Sequence, residues 1–548
     1  MDAQGSRSSL AANLTLLLGS VAFALLLLAI LEALLRVSGL GALDASRASR
    51  LDYQQIYFPT LEPGTLPNGI DVLRTVDPRF PYQTILRRKP VGTIRLVTLG
   101  GSSTAGLGYS RNITFARYLE RMASAALPGA RVEMLNLGMV ALATKQEKLL
   151  VAEVCRSYEP DLVIVYAGNN EFLEIHAQKY AEAHGSLASW LRDRLMGTNL
   201  YRLVHRAVRG RPERPSLAEQ SLTREQIRLT QHEIIRDIEM SDDEVGGIID
   251  QYERNIAEMA QAARESDTPI LLLTVASNWK WRGREDLPAA WMNELVETDA
   301  LPEQQKFRRA REELTHRLAQ APPDERHEWL FRRALASEAL GDFPAARSDY
   351  RAAFNADPHL RRALDAMADR VRRVGASASV PVLDVIEELE RQAPHGIVGF
   401  DEFYDYVHFT PKGALQVAAA LYERLVRMEI LAPRVAFDSE AFIAQELAEL
   451  AGKSEDWLEV DRWAGFSFDP ALLADRDLWK FDRMVQDLDQ RIERNHADFR
   501  ALVYRGNAAA FEIDGADRAE RDYRAALALR DDPAVRANLE RLLGSRAH

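Results

Sequence analysis

The first residue that could do chemistry is a serine in a glycine-rich turn. Ser102 lies in LVTLGGSSTAG, between a predicted strand over 94–100 and a predicted helix. In an open α/β sheet, ligands bind where the strands end, so the Ser102 hydroxyl is expected to face a crevice. Such turns also bind phosphate groups or simply reverse the chain. Taken alone, the motif leaves catalysis, phosphate binding and a plain turn as alternatives.

Two further strand ends carry hydrogen-bond donors. VEMLNLG ends at Gly138, and DLVIVYAGNNEF places Asn170 two residues after Gly168. A backbone N–H and a carboxamide that reach the same crevice are the donors of an oxyanion hole, which stabilises the negative oxygen of a tetrahedral intermediate. The alternative role for Asn170 is to cap the N-terminus of a helix.

A base and a carboxylate occur together near position 405. DYVHFTPKG places Asp405 three residues before His408, just ahead of a helix that Pro411 opens. A serine hydroxyl needs a base to take its proton, and histidine suits that role at neutral pH. A carboxylate beside the histidine can hold the imidazole in the required tautomer. In isolation, the same pair would be a surface ion pair or a single metal ligand.

In this order, the four blocks resemble the motifs of the SGNH, or GDSL-type, hydrolases. They are GGSST around Ser102, NLG at Gly138, GNNE around Asn170, and DxxH at Asp405 and His408. The resemblance implies that Ser102 is the nucleophile, His408 the base and Asp405 the partner that orients the base. It also implies an oxyanion hole formed by the Ser102 N–H, Gly138 and Asn170.

The sequence departs from the family pattern at three positions. Gly101 stands where the family name places Asp, Glu171 replaces the Asp of GxND, and Phe409 follows the histidine in place of a frequent Pro. None of these changes removes a reacting atom. The chain is similar to a subgroup of membrane-anchored SGNH proteins that carry tetratricopeptide segments.

The elements that must position these residues form a predicted α/β core. Apolar runs rich in β-branched residues predict five buried parallel strands, over 94–100, 132–138, 161–168, 269–276 and 381–385. Amphipathic segments between the runs predict helices on both faces of the sheet. The alternation predicts a doubly wound, SGNH-hydrolase-like fold, with its core in residues 91–299 and 376–432.

Two stretches outside this alternation are predicted to be helical hairpins. Residues 300–375 are an insertion and residues 433–548 a C-terminal region, and DYRAA occurs in both, at 349–353 and 522–526. In each region, the segment that ends with DYRAA and the residues after it fits the length and apolar positions of one tetratricopeptide unit. Unrelated helical hairpins with an Ala-rich seam would have the same pattern. The insertion accounts for part of the long separation between the serine and the histidine, and it could cover the crevice.

Two aromatic residues follow the fourth predicted strand. SNWKW places Trp279 and Trp281 at the carboxyl end of that strand, on the side where the crevice is expected. They could supply aromatic contacts to a sugar or an acyl chain. Packing of both rings in the core is the alternative.

The N-terminus predicts a membrane anchor. Leu14–Leu31 contains 18 residues without a charge, and as a helix it would span about 27 Å of the hydrocarbon core of a bilayer. The run leads into Glu32 rather than a small-residue cleavage site. We therefore interpret residues 1–36 as a cytoplasmic tip and an uncleaved signal anchor, rather than a cleaved signal peptide or a buried core helix. Residues 37–90 are predicted to be an extended lead-in.

The charges on the two sides of this span help to predict which side of the membrane holds the C-terminal domain. Only Arg7 precedes the span, whereas Arg36, Arg47 and Arg50 follow it, so charge counting slightly opposes export of the C-terminal domain. Long domains can translocate regardless of charge, and the resemblance favours a periplasmic or extracellular catalytic domain. A second span of this length is not predicted, so the rest of the chain is expected on one side.

Composition excludes several classes of protein. Of 548 residues, 47% are apolar and 27% charged, which is typical of globular protein and excludes a fibrous or wholly disordered chain. The 69 Lys and Arg against 81 Asp and Glu give a net charge of -12, which argues against a nucleic acid partner. Cys155 is the single cysteine, so an intramolecular disulfide and a Cys-rich zinc module are excluded. We expect neither a cofactor nor a metal.

The leading hypothesis is a membrane-anchored serine esterase that cleaves an oxygen ester through an acyl-enzyme. Acetyl or acyl groups on envelope polysaccharide or lipid fit the anchor and the habits of the family. If a sugar hydroxyl replaces water, the same site becomes an acyltransferase. The alternative from another class is a catalytically silent scaffold that recruits a protein partner through the helical hairpins. A phosphate-binding module ranks last, because the Gly-rich turn lacks the Lys of a P-loop.

Overall fold

The computed structural model describes residues 3–40, 56–65, 71–75, 83–107, 113–173, 197–209, 240–281, 302–358, 362–450, 495–510 and 516–545, with isolated positions between these ranges. The chain begins with helix α1 (Ala3–Ser38). Within the described residues this is the one helix long and apolar enough to cross a membrane, over Leu18–Ser38 with a mean hydropathy of 2.5. Only 6% of that window is buried, so α1 is not a core helix. It is a membrane anchor or a signal sequence.

Three short strands follow, β1 (Leu61–Thr65), β2 (Asp71–Thr75) and β3 (Thr84–Leu86), and they form an antiparallel sheet. The Glu153 carboxylate fixes this sheet to the core, because it accepts hydrogen bonds from the Thr60 N–H at 2.8 Å and the Thr60 hydroxyl at 2.6 Å. The predicted extended lead-in therefore contains a small sheet. Its strands are short, and β1 includes a proline and a glycine, so the usual strand pattern is missing.

Strands and helices then alternate as β4 (Thr93–Gly100), α2 (Ser102–Ala105), α3 (Phe115–Ala126), β5 (Arg131–Gly138), α4 (Thr144–Ser157), β6 (Leu162–Tyr166), α5 (Asn199–Arg209), α6 (Asp242–Glu265) and β7 (Ile270–Leu273). The described chain continues through α7 (Glu303–Gln320), α8 (Arg326–Ala339), α9 (Phe343–Asn355), α10 (Asp365–Ala378), β8 (Val382–Leu383), α11 (Val385–Gln392), α12 (Pro411–Arg427) and α13 (Ser439–Leu450). It ends with α14 (Phe499–Ala509), α15 (Ala516–Leu529) and α16 (Pro533–Ser545).

Five strands form one parallel sheet in the order β5-β4-β6-β7-β8. Gly100, the last residue of β4, is in register with Gly138 of β5 and Tyr166 of β6. The chain moves from β4 to β5 in one direction and then returns past β4 to β6. Such a reversal opens a crevice at the carboxyl ends of the strands. The predicted α/β fold with five parallel strands is confirmed, and Ser102 lies at the reversal.

Helices cover the sheet in two groups. Helix α3 packs against α12, whereas α4 packs against α6, which also contacts α10. Right-handed crossovers that run in opposite directions along a sheet place their helices on opposite faces. The crossover through α3 and the crossover through α4 run in opposite directions, so the two groups lie on the two faces. The sheet strands are consequently almost fully buried.

The two regions predicted as helical hairpins contain paired helices, α8 with α9 and α14 with α15. In each pair an arginine of the first helix binds the aspartate of DYRAA through two hydrogen bonds. Arg333 contacts Asp349 at 2.7 Å twice, and Arg505 contacts Asp522 at 2.8 and 2.7 Å. The hairpins therefore share a local design. Their assignment as tetratricopeptide units stays a prediction.

Candidate active site

The sheet reversal and the chain before α12 bring three predicted residues together. Ser102 Oγ lies 2.7 Å from His408 Nε2, and His408 Nδ1 lies 2.6 Å from Asp405 Oδ2. A carboxylate only accepts hydrogen bonds, so the proton of the neutral imidazole lies on Nδ1. Nε2 is then free to accept the Ser102 hydroxyl proton. Ser102 is 7% and His408 1% exposed, so this line of hydrogen bonds is largely shielded from solvent.

The Asp405 carboxylate is held by the backbone that follows it. Its Oδ1 accepts hydrogen bonds from the Val407 N–H at 2.9 Å and the His408 N–H at 2.8 Å. These bonds close a tight turn between the carboxylate and the imidazole that it orients. The spacing of three residues in DxxH is what allows one carboxylate to bind both the backbone and the ring.

Three side chains that the sequence analysis gave no role hold the histidine segment against the sheet. Ser103 Oγ donates to the Val407 carbonyl at 2.9 Å, and Tyr404 Oη donates to the Leu107 carbonyl at 3.0 Å. From the end of β7, Asn278 Nδ2 donates to the Asp405 carbonyl at 3.0 Å. Asn278 lies in SNWKW, between the fourth strand and the two tryptophans. The contacts join segments far apart in the chain, so local sequence carries little signal for them.

The Asn170 carboxamide lies directly beside the nucleophile turn. A Cβ added to Gly101 would come within 2.5 Å of Asn170 Nδ2, so this approach requires glycine. Asn170 Nδ2 donates one hydrogen to the Leu142 carbonyl at 2.8 Å, which leaves its second N–H available. Among the described residues, this side chain caps no helix. No described residue accepts the Ser102 N–H either.

Gly138 is placed differently from the prediction. Its N–H donates to Asn136 Oδ1 at 2.9 Å, so in this structure it is not available to a negative oxygen. A Cβ on Gly138 would lie 2.3 Å from the Ala105 nitrogen, which shows that its Cα faces the backbone of α2. The glycine is needed for this close approach. The turn after β5, which ends at the Leu142 carbonyl, is the part that contacts Asn170.

Glu171 supports the same turn from behind. The Glu171 carboxylate accepts hydrogen bonds from the Thr144 N–H at 2.9 Å and the Thr144 hydroxyl at 2.7 Å, and so fixes the first residue of α4. Glu147, in the same helical turn, is fully buried. Burial, together with the nearby Glu171 charge, raises the pKa of Glu147 well above its usual value.

Aromatic rings flank the histidine. Tyr404 stacks on the imidazole at a centroid distance of 5.7 Å, and Tyr406 meets it edge-on at 5.9 Å. The ring centroid of Trp281 lies 6.2 Å from that of Tyr406 and 6.2 Å from that of Phe400. Phe400 is 51% exposed, so this row of rings runs from the imidazole to the surface. Trp279 is instead buried in the core, with the Arg351 guanidinium 5.5 Å from its ring centroid. The two tryptophans therefore differ in position.

The described residues contain no group of three or more His, Cys, Asp or Glu side chains placed to hold a metal ion. Cys155, the single cysteine, is buried near the end of α4, and burial raises the pKa of its thiol. Neither feature supplies a reacting group to the crevice.

Comparisons with known proteins give a likeness in fold only. No protein-family model and no curated protein matches the chain. Among solved structures, a lipase/acylhydrolase from Enterococcus faecalis is 14% identical, with 63% of this chain and 100% of that chain covered and a TM-score of 0.29.

Two further solved structures are similar at the same level. An acetylxylan esterase from Geobacillus stearothermophilus, solved as a catalytic mutant, is 11% identical over 62% of this chain and 96% of its own, with a TM-score of 0.29. A GDSL-like lipase from Bacteroides thetaiotaomicron is 12% identical over 61% and 88%, with a TM-score of 0.27. At these TM-scores the likeness carries no conclusion about activity, which has to come from the geometry of the site.

Proposed function

We propose that the chain is a serine ester hydrolase, with Ser102 as nucleophile, His408 as base and Asp405 as the group that orients the base. One observation carries the proposal. The two hydrogen bonds of 2.7 and 2.6 Å link Ser102 to His408 and His408 to Asp405, in a shielded crevice at the reversal of the sheet. This geometry suits transfer of the serine proton to the imidazole.

In the first half of the reaction, Ser102 Oγ attacks the carbonyl carbon of the ester while His408 Nε2 takes the hydroxyl proton. Negative charge develops on the carbonyl oxygen, where the Ser102 N–H and the second N–H of Asn170 can donate hydrogen bonds. The bond to the alcohol oxygen then breaks, and His408 returns the proton to the departing alkoxide. The acyl group stays on Ser102, and the Asp405 carboxylate stabilises the imidazolium in between.

In the second half, an acceptor hydroxyl attacks the acyl-enzyme while His408 removes its proton. With water as acceptor, the products are a carboxylic acid and free Ser102, and the chain is an esterase. With a sugar hydroxyl as acceptor, a new ester forms and the chain is an acyltransferase. The same residues serve both reactions, so the acceptor decides between them.

The rings beside His408 support a carbohydrate as the alcohol part of the ester. His408 protonates the leaving oxygen, so the alcohol part must lie on the histidine side of the crevice. On that side, Tyr406, Trp281 and the exposed Phe400 form a series of rings that starts at the imidazole. Aromatic faces with polar edges suit the apolar face of a sugar ring better than a flexible acyl chain, which needs an enclosed groove. An O-acylated polysaccharide is therefore the proposed substrate.

The position of α1 supports anchoring of this activity to a membrane. Its apolar window is exposed to the surroundings rather than covered by protein. We propose that it is retained as an anchor, with the catalytic domain on the periplasmic or extracellular side, where acylated envelope polysaccharides occur. The helical hairpins are the proposed site for a protein partner.

Labelling with a fluorophosphonate and turnover of a short-chain aryl ester test the proposal, with the full-length chain in detergent. Ser102→Ala should abolish labelling, and His408→Ala should lower both signals by about 10⁴-fold or more. Asn170→Ala should lower kcat by about 10²–10³-fold, because one donor to the negative oxygen is lost. Ser266→Ala is the control and should keep labelling, since it removes a serine hydroxyl between the end of α6 and the start of β7, away from the strand ends that carry the site.

A folded wild-type chain that neither labels nor turns over the ester would contradict the proposal and favour the scaffold alternative. For the substrate, Trp281→Ala and Phe400→Ala should each lower kcat/KM for an acetylated xylo-oligosaccharide by about fivefold, as expected for loss of about 1 kcal/mol of stacking. Turnover of the aryl acetate should stay unchanged. An equal loss on both esters would argue against a carbohydrate subsite at these rings.

A further inference from the structure

Helix α5 begins against the end of the apolar helix α1. The Glu32 carboxylate accepts hydrogen bonds from the N–H groups of Asn199 and Leu200, both at 2.9 Å. In return, Asn199 Nδ2 donates to the Leu35 carbonyl at 3.2 Å and to the Leu40 carbonyl at 3.0 Å. Glu32 directly follows the apolar run of α1. These bonds therefore place the start of α5 beside the C-terminal part of α1, within two turns of its end at Ser38.

Helix α5 is strongly amphipathic. With 3.6 residues per turn, one side of the helix carries apolar residues at positions 200, 203, 204 and 207, and the opposite side carries arginines at positions 202, 206 and 209. On the apolar side, Leu203 is 40% and Val204 52% exposed. The protein thus leaves an apolar helix face uncovered, next to the exposed Leu34 and Val37 of α1.

We propose that α5 lies in the membrane–water interface, with its apolar side toward the acyl chains and its arginines at the level of the lipid phosphates. This inference rests on the proposed anchoring of the chain through α1. The apolar window of α1 and the apolar side of α5 are both exposed and lie on two helices that contact each other, which favours lipid as the partner, because one medium then covers both. An amphipathic helix with a basic polar side is also the kind that binds at this depth.

The charge of α5 also favours binding to anionic lipid. The chain as a whole carries a net charge of -12 and would be repelled by anionic lipid. Three arginines within eleven residues make helix α5 locally basic, and among the described residues its start binds Glu32 of the span-bearing helix. Each basic residue near an anionic membrane surface contributes about 1 kcal/mol of attraction.

The position of α5 in the chain gives this contact a consequence for catalysis. Helix α5 lies between β6, whose end carries Asn170, and α6, which leads to β7. An α5 held in the interface would fix the tilt of the sheet relative to the bilayer. The crevice would then face the membrane surroundings at a constant angle, rather than turning freely on a single span.

Fluorescence quenching by brominated lipid tests the proposal, with the full-length chain in nanodiscs of phosphatidylcholine and a minority of phosphatidylglycerol. A bimane label is placed on Leu203→Cys or, as the matched control, on Arg202→Cys, both in a Cys155→Ser background. We expect bromine in the acyl chains to quench the label at 203 several-fold more than the label at 202. The circular dichroism spectrum reports that each variant is folded.

Equal and weak quenching at both positions would overturn the proposal. Emission that changes with protein concentration in detergent, but not with bromine, would assign the apolar side to a second copy of the chain and also overturn it. Release of the full-length protein from membranes by alkaline carbonate would overturn the anchor and this inference together, while leaving the hydrolase proposal intact. If bromine quenches the label on Leu203→Cys but that same chain, with Ser102 intact, does not react with the fluorophosphonate, only the hydrolase proposal is contradicted.

Discussion

The two helical hairpins share a sequence pattern and an arginine–aspartate contact, yet they pack against different parts of the molecule. Phe331, Tyr350 and Phe354 of the α8–α9 hairpin belong to the same hydrophobic core as the parallel sheet. Leu502 and Tyr523 of the α14–α15 hairpin belong to a separate cluster with Leu539 of α16. The shared pattern thus forms the hairpin, whereas the surrounding surface decides whether it is part of the catalytic unit.

The α8–α9 hairpin is tied to two strand ends of the site. Lys280, after β7, makes a salt bridge to Glu338 at 2.8 Å, and Arg351 binds Glu390 at 2.9 Å. The chain that follows the hairpin donates the Ala363 N–H to Asn169 Oδ1 at 3.2 Å, next to Asn170. The insertion therefore supports the crevice from outside, in addition to lengthening the chain between Ser102 and His408.

The largest expected difference between the hairpins is the change in ester turnover when one or the other is removed. Replacing residues 302–358 with a short flexible linker should lower aryl ester turnover by more than about 10²-fold, because a displacement of about 1 Å at reacting groups costs that much. Truncation before residue 488 should keep turnover within a few-fold. Similar activity in both chains would remove the distinction between the hairpins.

Tyrosine-to-alanine substitutions should show that the two hydrophobic clusters unfold independently. Tyr350 and Tyr523 are both buried, and either change should cost about 3–5 kcal/mol of local stability. Tyr350→Ala should lower the denaturant midpoint at which fluorophosphonate labelling is lost, whereas Tyr523→Ala should leave that midpoint unchanged. Tyr350→Phe is the control, since it removes only the hydrogen bond to Glu338, worth about 1 kcal/mol.

Loss of the arginine–aspartate contact should lower the free energy of unfolding more in the α14–α15 hairpin than in the α8–α9 hairpin. Breaking a buried pair costs about 3–5 kcal/mol, and the exposure of Arg333 (23%) and Arg505 (19%) reduces this to about 2–3 kcal/mol. Arg505 also binds Asp489 at 2.8 Å. Arg505→Ala should therefore lower the free energy of unfolding of its hairpin more than Arg333→Ala lowers that of the other hairpin. Urea unfolding followed by circular dichroism measures both. A larger loss for Arg333→Ala would contradict this order.

The smallest effect concerns the seam between paired helices. Gly506 follows Arg505, whereas Ala334 follows Arg333 in the first hairpin. A Cβ on Gly506 would lie 2.8 Å from a ring carbon of Tyr523, so Gly506→Ala should cost about 1–3 kcal/mol from crowding, partly offset by about 1 kcal/mol of helix propensity. Net stabilisation by this change, measured in the same urea titration, would mean that the two seams have equal spacing.

Much of the candidate site could be predicted from the sequence, because each residue sits at a recognisable end of an element. Ser102 and Asn170 follow buried strands, and Asp405 and His408 precede a helix that begins at Pro411. The parallel sheet brings these ends to one edge. The role of Gly138 could not be derived in this way, because its N–H depends on the side-chain conformation of Asn136. The supports from Ser103 and Asn278 likewise depend on contacts between distant segments.

The sequence by itself determined the periodic elements and the chemical groups available at their ends, since burial patterns and short motifs are local properties. It also determined the apolar length of α1 and the two faces of α5. Only the tertiary structure decided that Glu32 holds the start of α5, that one hairpin shares the catalytic core and that Gly138 packs under α2. These features arise from long-range packing and hydrogen bonds, whose partners are chosen by the geometry of the whole fold.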